Sequence, residues 1–320
     1  AWTLAVLKIV SHPMPPAMAL LFGVPLGIVL ALPYLGWSRL RRHLPAAVAP
    51  LFFAALGATT EWVQHTATPL ASWGALAYTQ LDQLWLLQLA SVTGMAGISF
   101  LVYWGAALAE DALARGLPSQ RRTAPVFAAV MLGVLVFGHL RLAAADTDPS
   151  PVTVAAVGTD STVSGLPLPP RAETQRWDAA LLRRTQRAAR AGARLVVWTE
   201  AATLVRRADE ATWLRRLQDQ VARLRVHVVA AYVVPLGTAP LRYENKYVWI
   251  LPDGRIHHAY LKHQPVPGEP AVAGTAPHRA VNAGFGRASG AICYDYDFPG
   301  LAAAHRRLDV DLVVLPSSDW

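Results

Sequence analysis

The pattern of apolar and polar positions divides this chain in two. Before about residue 140 the apolar residues form long, barely interrupted runs; after it they form short runs between periodic polar segments. Four early runs come near or exceed the roughly 20 residues of helix that cross a bilayer. They cover 16–37, 44–60, 84–108 and 124–139. Residues 1–10 read as the remnant of an earlier span, and a chain that does not open on Met is expected to have lost some of its beginning.

A polar, proline-bearing stretch at 146–151 predicts a linker, and the pattern then changes period. VTVAAVG (152–158), ARLVVW (193–198), VHVVAAYVV (226–234), GAICYD (290–295) and DLVVLP (311–316) predict buried strands. Apolar residues at helical spacing predict helices over 172–191 (Trp177, Leu181, Leu182, Ala188) and 208–224 (Trp213, Leu214, Leu217, Val221, Leu224), with a short one at 299–307. YVWILP and IHHAYLK flank Asp253-Gly254 and predict a hairpin. Strand–helix alternation with near-continuous apolar strands predicts an α/β sheet covered on both faces. The expected organisation is a polytopic α-helical membrane domain over 1–145, then an α/β domain over 146–320.

Charge sharpens the division. Of the 50 charged residues, 11 lie in 1–140 and 39 in 141–320. Arg39, Arg41, Arg42 and His43 fall between the first two spans, and Arg115, Arg121 and Arg122 between the last two. The loop 61–82 carries Glu61 and Asp82 and neither Lys nor Arg. The positive-inside rule places the basic loops in the cytoplasm and everything after Arg141 outside it. Trp62, Trp73, Tyr78 and Trp85 suit an interfacial belt on the outer side, and GVPLG (23–27) has the small-xxx-small spacing of helix packing. The net charge is +8, but the arginines alternate with acids over 171–225 and form no basic stripe with interleaved aromatics, so nucleic acid is not an expected partner.

In α/β sheets chemistry gathers at the carboxyl ends of strands. Here those ends supply Glu200, Lys262 and Cys293. Singly, each has an ordinary explanation: a helix-start acid, an exposed edge lysine, an inert packed thiol. Together they supply a general base, a cation for an oxyanion and a nucleophile. A single cysteine excludes an internal disulfide. Among the remaining polar clusters, His257, His258 and His263 lack metal-ligand spacing and predict an exposed strand edge. Asp295 and Asp297 predict strand-end charges, and GFGRASG (284–290) lacks the context of a dinucleotide loop. No metal and no cofactor are expected.

Glu, Lys and Cys in this order on an α/β sandwich resemble the nitrilase (carbon–nitrogen hydrolase) superfamily. VVWTEAA around Glu200, YLKHQPVPGEP at 260–270 and ICYDYDFP at 292–299 resemble, within it, the apolipoprotein N-acyltransferases. EWVQ at 61–64 and the apolar segment 72–102 are similar to that family's membrane region. The resemblance implies an αββα catalytic sandwich on the extracytoplasmic side of the bacterial cytoplasmic membrane. It implies a ping-pong acyl transfer, from a phospholipid to Cys293 and then to the amine of a diacylglyceryl-modified lipoprotein cysteine. Glu200 would be the base and Lys262 the oxyanion partner. Glu269, Asn245, Tyr294 and Asp295 match supporting positions. Departures from the family pattern are Thr199 for proline, Asp295 for glutamate, Gln64 for arginine, and the lack of an aromatic between Pro267 and Gly268. The resemblance also implies more sheet and a last span after Trp320, so the C-terminal part is expected to be missing. Two other functions stay open: a membrane-tethered amidase acting on a small C–N substrate, and an inactive membrane scaffold.

Overall fold

The computed structural model describes residues 16–144, 151–159, 161 and 165–318. It divides into two compact units, before and after position 147. The linker expected at 146–151 falls almost wholly outside the described residues, as does 1–10.

The first unit is helical. Helix α1 spans Pro16–Leu40 and α2 spans Ala49–Ala67; a short α3 (Leu84–Leu87) precedes α4 (Ala90–Arg115) and α5 (Thr123–Ala143). Phe53 of α2 is the hub of the packing, with ring centroids 5.3–5.4 Å from Tyr34, Trp37 and Tyr103. Small residues let backbones approach: a Cβ on Gly57 would sit 2.6 Å from the Tyr103 ring, and one on Gly138 1.9 Å from the Trp85 carbonyl. Among the described residues three helical stretches are long and apolar enough to cross a membrane: Gly23–His43, Ala90–Arg115 and Thr123–Ala143.

Two of the expected runs fold into helices with other bounds. The run 44–60 becomes α2, shifted to Ala49–Ala67, and is not one of the three, because its second half brings Thr59, Thr60, Glu61, Gln64 and His65 into the helix. Glu61 and Gln64 turn inward instead of facing lipid. Glu61 Oε1 accepts the Leu76 N–H at 3.2 Å, and Gln64 Nε2 donates to the Ala71 and Trp73 carbonyls at 3.0 and 2.7 Å. The run 84–108 is two pieces, α3 and α4, and Gly94 (φ 64°) kinks the start of α4 in a conformation that only glycine adopts freely.

In the second unit, β1 (Val154–Val157), β2 (Leu195–Trp198) and β3 (His227–Thr238) are parallel neighbours, joined by α6 (Arg171–Arg190) and α7 (Glu210–Leu224). Strands β4 (Leu241–Ile250) and β5 (Ile256–Leu261) extend the sheet antiparallel, in the order β1-β2-β3-β4-β5. A smaller sheet, β6-β7-β8, contains β6 (Val281–Asn282), β7 (Arg287–Gly290) and β8 (Leu312–Val314), with α8 (Pro299–Arg307) between the parallel β7 and β8. Side chains alternate across a strand, and β3 uses both faces. Val228, Ala230, Tyr232 and Val234 pack with Leu181 of α6 and Leu217 and Val221 of α7. Val229 and Ala231 join Tyr247, Trp249 and Tyr260 against Ala288 and Val314 of the second sheet. The result is a layering of helices, sheet and sheet.

The expected strand 290–295 is corrected. Strand β7 ends at Gly290; Ala291 and Cys293 still bond to the Val314 and Pro316 carbonyls, and a 3₁₀ turn over Cys293–Asp297 then begins. The histidines are not one exposed edge. His257 is exposed, but His258 is buried because it shares the inner face of β5 with Tyr260.

Candidate active site

The site is built from the ends of strands. Glu200 leaves β2 two residues after its last member, where Ala201 (φ 50°) turns the chain. Cys293 carries φ 44°, a strained value for a residue with a Cβ. The segment after β8 holds both in place: the Ser317 carbonyl accepts the Glu200 N–H at 3.3 Å and the Pro316 carbonyl accepts the Cys293 N–H at 3.0 Å. Lys262 lies one residue beyond β5, and its N–H continues the ladder to the Asn245 carbonyl at 2.9 Å.

Around this frame the polar side chains converge. Lys262, 1% exposed, donates from Nζ to Glu200 Oε1 and to Glu269 Oε2, both at 2.8 Å. Asn245 bridges the same two carboxylates, from Nδ2 to Glu200 Oε1 at 2.7 Å and to Glu269 Oε1 at 3.0 Å. The amide nitrogen is assigned to that side because both neighbours are acceptors. The Val266 N–H and the Tyr243 hydroxyl also donate to Glu269, at 2.9 and 3.3 Å. The Cys293 thiol lies within reach of the charges of Glu200 and Lys262. The structure thus brings together Glu200, Lys262, Cys293, Asn245 and Glu269.

Electrostatics follow from this packing. Burial pulls the Lys262 ammonium down, but the charges of Glu200 and Glu269 outweigh it and hold the group above its ordinary value. Burial and then the Glu200 charge push the Cys293 thiol up to about 12, against partial relief from Lys262. At neutral pH Cys293 is therefore a thiol, with the Glu200 carboxylate acting on it. An ammonium has three N–H donors; two of those on Lys262 are used, which leaves one for a developing oxyanion.

Tyr294 and Asp295 lie in the turn that begins at Cys293. Tyr294 is buried with its ring 5.3 Å from Phe298. Asp295, fully buried, accepts four hydrogen bonds. Tyr260 Oη (2.8 Å) and the Ile292 N–H (3.0 Å) reach Oδ2, and the His263 (3.0 Å) and Gln264 (2.7 Å) N–H groups reach Oδ1. It clamps the loop after Lys262 to the turn that carries Cys293. Tyr243 and Tyr260 were not among the expected site residues. Tyr243 was detectable: it shares a face of β4 with Asn245 through the two-residue period, while Glu244 and Lys246 face the other way, where Lys246 pairs with Glu210 of α7 at 2.5 Å. Tyr260 had no signal, since its partner lies 35 residues on. Among the described residues no group of three or more His, Cys, Asp or Glu could hold a metal ion.

Comparison with known proteins agrees with this architecture. Residues 153–320 match the carbon-nitrogen hydrolase profile, and residues 1–108 match the apolipoprotein N-acyltransferase N-terminal domain. The chain belongs to the carbon–nitrogen hydrolase family, and its two halves together are those of an apolipoprotein N-acyltransferase-like protein. Its second half is thereby a nitrilase-superfamily domain, and its apolar helices and first family match mark a membrane protein. No curated protein matches the sequence. Similar solved structures include the NitN amidase of Nesterenkonia sp. AN1 (20% identity, 45% of this chain and 61% of that one, TM-score 0.38). A second is an amidase from Nesterenkonia sp. (21%, 45% and 59%, TM-score 0.37). This chain spans about three fifths of the length of those amidases.

Proposed function

We propose that this protein transfers an acyl chain from a membrane phospholipid, through a thioester on Cys293, to the N-terminal amine of a diacylglyceryl-modified lipoprotein cysteine. In this assignment 1–145 is the membrane domain and 146–320 the catalytic domain. The catalytic domain works on the extracytoplasmic side of the bacterial cytoplasmic membrane; this takes α2 as a crossing beside the three membrane-length helices, and the positive-inside rule then supports the placement. The observation that carries the reading is the Glu200–Lys262–Asn245–Glu269 network beside the Cys293 thiol, in a chain whose other half matches an acyltransferase membrane domain.

The chemistry follows from the contacts. Glu200 takes the thiol proton as sulfur attacks the ester carbonyl, and the free Lys262 N–H stabilises the oxyanion. The C–O bond then breaks, Glu200 returns the proton to the lysophospholipid oxygen, and the acyl group stays on sulfur. In the second half the lipoprotein amine attacks the thioester and gives a proton to Glu200. The C–S bond breaks and the proton returns to Cys293. Glu269 holds Lys262 charged and aimed, and Asn245 fixes the spacing of the two carboxylates. Both substrates are lipids, so a membrane-anchored site has both at hand.

The test is mass spectrometry of the full chain in lipid bilayers with an isotopically labelled phospholipid. We expect one labelled acyl group on Cys293, lost in Cys293→Ala, strongly reduced in Glu200→Gln, and discharged by a diacylglyceryl peptide bearing a free amine. A chain that hydrolyses small amides yet never carries acyl from a phospholipid sinks the transferase reading in favour of an amidase.

A further inference from the structure

Behind the Asp295 clamp lies a run of closely packed imidazoles that the chemistry above does not use. His263 directly follows Lys262, His278 lies between Glu269 and β6, and His305 is on α8. The Tyr260 ring lies 4.8 Å from His263 and stacks on His278 at 5.2 Å; His263 and His278 are 5.4 Å apart. His278 and His305 are 4.1 Å apart, and Tyr296, inside the Cys293–Asp297 turn, is 5.6 Å from His305. His278 and His305 are both more than nine-tenths buried. His278 Nδ1 meets the Gly290 carbonyl at 3.3 Å. Nε2 of His263, Nε2 of His278 and both ring nitrogens of His305 have no hydrogen-bond partner among the described residues. The cluster therefore touches β5, the lysine loop, the cysteine turn and α8, the elements that the clamp must keep together.

We propose that these three histidines are positioning residues: packed together and neutral, they hold the Lys262 loop against the Cys293 turn, and protonation of His278 and His305 releases that clamp. Like charges on rings 4.1 Å apart in an apolar interior repel strongly, so the cluster cannot survive charging intact. The groups that face it bear this out. Asp295 and the Gly290 carbonyl favour charge on His278, and the Gly290 carbonyl favours it on His305, but burial and the neighbouring ring (His263 for His278, His278 for His305) oppose it. Tyr260 and Tyr296 add no charge at neutral pH. Beyond the cluster, His258 feels His257, Arg279 and His278, all of which disfavour its protonation. Asp295 cannot turn to meet an imidazolium, since its oxygens already serve Tyr260, Ile292, His263 and Gln264. Burial holds His278 below the usual imidazole range and His305 down at about 4.

The test is amide hydrogen exchange of the full chain in bilayers at pH 7 and pH 5, corrected for intrinsic rates. The readout is the peptide with the His263 and Gln264 amides, which donate directly to Asp295. Wild type should lose protection there by at least tenfold on acidification, and His278→Phe/His305→Phe, which keeps rings but cannot titrate, should keep it. The pH profile of Cys293 alkylation should lose its acid-side change in the same variant. Equal losses in both proteins overturn the proposal. Unchanged wild-type protection at pH 5 also overturns it, and that arm needs no variant to fold. The inference rests on the proposed function only in taking the clamped site as catalytic. Exchange does not involve acyl transfer, so a protein that never acylates Cys293 would refute the function and leave this result standing.

Discussion

A thiol raised to about 12 by burial and by the Glu200 charge is un-ionised at neutral pH, so Cys293 does not wait as a thiolate. Proton removal must accompany attack, and in the proposed mechanism Glu200 is the base that takes the proton. Glu200→Gln should therefore separate two quantities that usually move together. Thiol alkylation should titrate at lower pH in the variant, because one cause of the raised value is gone, while acyl transfer to Cys293 falls by about two to four orders of magnitude. An unchanged alkylation profile would show that Glu200 does not govern the thiol. Asp295 poses a different residue-scale question. Removing its carboxylate in Asp295→Ala strands the Tyr260 hydroxyl and three backbone N–H groups in a buried position. At roughly 1–3 kcal/mol for an unsatisfied buried group, partly relieved by relaxation, we expect a loss of about 3 kcal/mol. It would be read as a lower urea midpoint for the catalytic unit.

At the scale of elements, the strands show what a periodic pattern carries and what it omits. The two-residue period of β4 was readable and puts Tyr243, Asn245 and Tyr247 on one face; the partners waiting on that face were not. Lys262 reads as a lysine at the end of a hairpin strand, and only the arrival of Glu200 and Glu269, 62 residues before it and 7 after it, makes it an interior cation. GAICYD reads as a strand, but Cys293 needs a left-handed φ that no pattern announces. The helices behave similarly. Apolarity located them, but the inward turn of Glu61 and Gln64 depends on the segment 71–76 that they hold. Close helix contact makes its own prediction. Gly138→Leu would drive a side chain into the Trp85 backbone and part α5 from α3. The detergent-solubilised chain should then melt several degrees lower, while Gly133→Leu, with open space around it, should have little effect.

For the whole molecule, the buried histidines impose a direction on pH stability. His258 and His305 titrate near 4 when folded, against an ordinary 6.5, because burial opposes their charge. The unfolded chain thus binds more protons between these values, and stability must rise with pH across that window. Each contributes up to roughly 3 kcal/mol, fully present above pH 6.5 and lost toward pH 4. Chemical denaturation at pH 7, 6 and 5 should give a falling midpoint, with a shallower fall in His305→Phe. A flat profile would contradict the burial of these rings.

What could be read from the chain alone was everything governed by local period and composition. The long apolar runs and the loop arginines marked a membrane half, the alternation of strand and helix marked an α/β half, and Glu200, Lys262 and Cys293 stood at strand ends. These are properties of neighbouring residues, and hydrophobic burial enforces them one element at a time. The folded structure alone settled how distant ends meet. The carbonyls after β8 hold Glu200 and Cys293 together, Asn245 bridges two carboxylates, and Asp295 ties the lysine loop to the cysteine turn. Such pairings join residues separated by 24 to 45 positions and more, and no local pattern encodes them. They exist because a buried polar group must find its partner wherever packing of the two sheets has placed one.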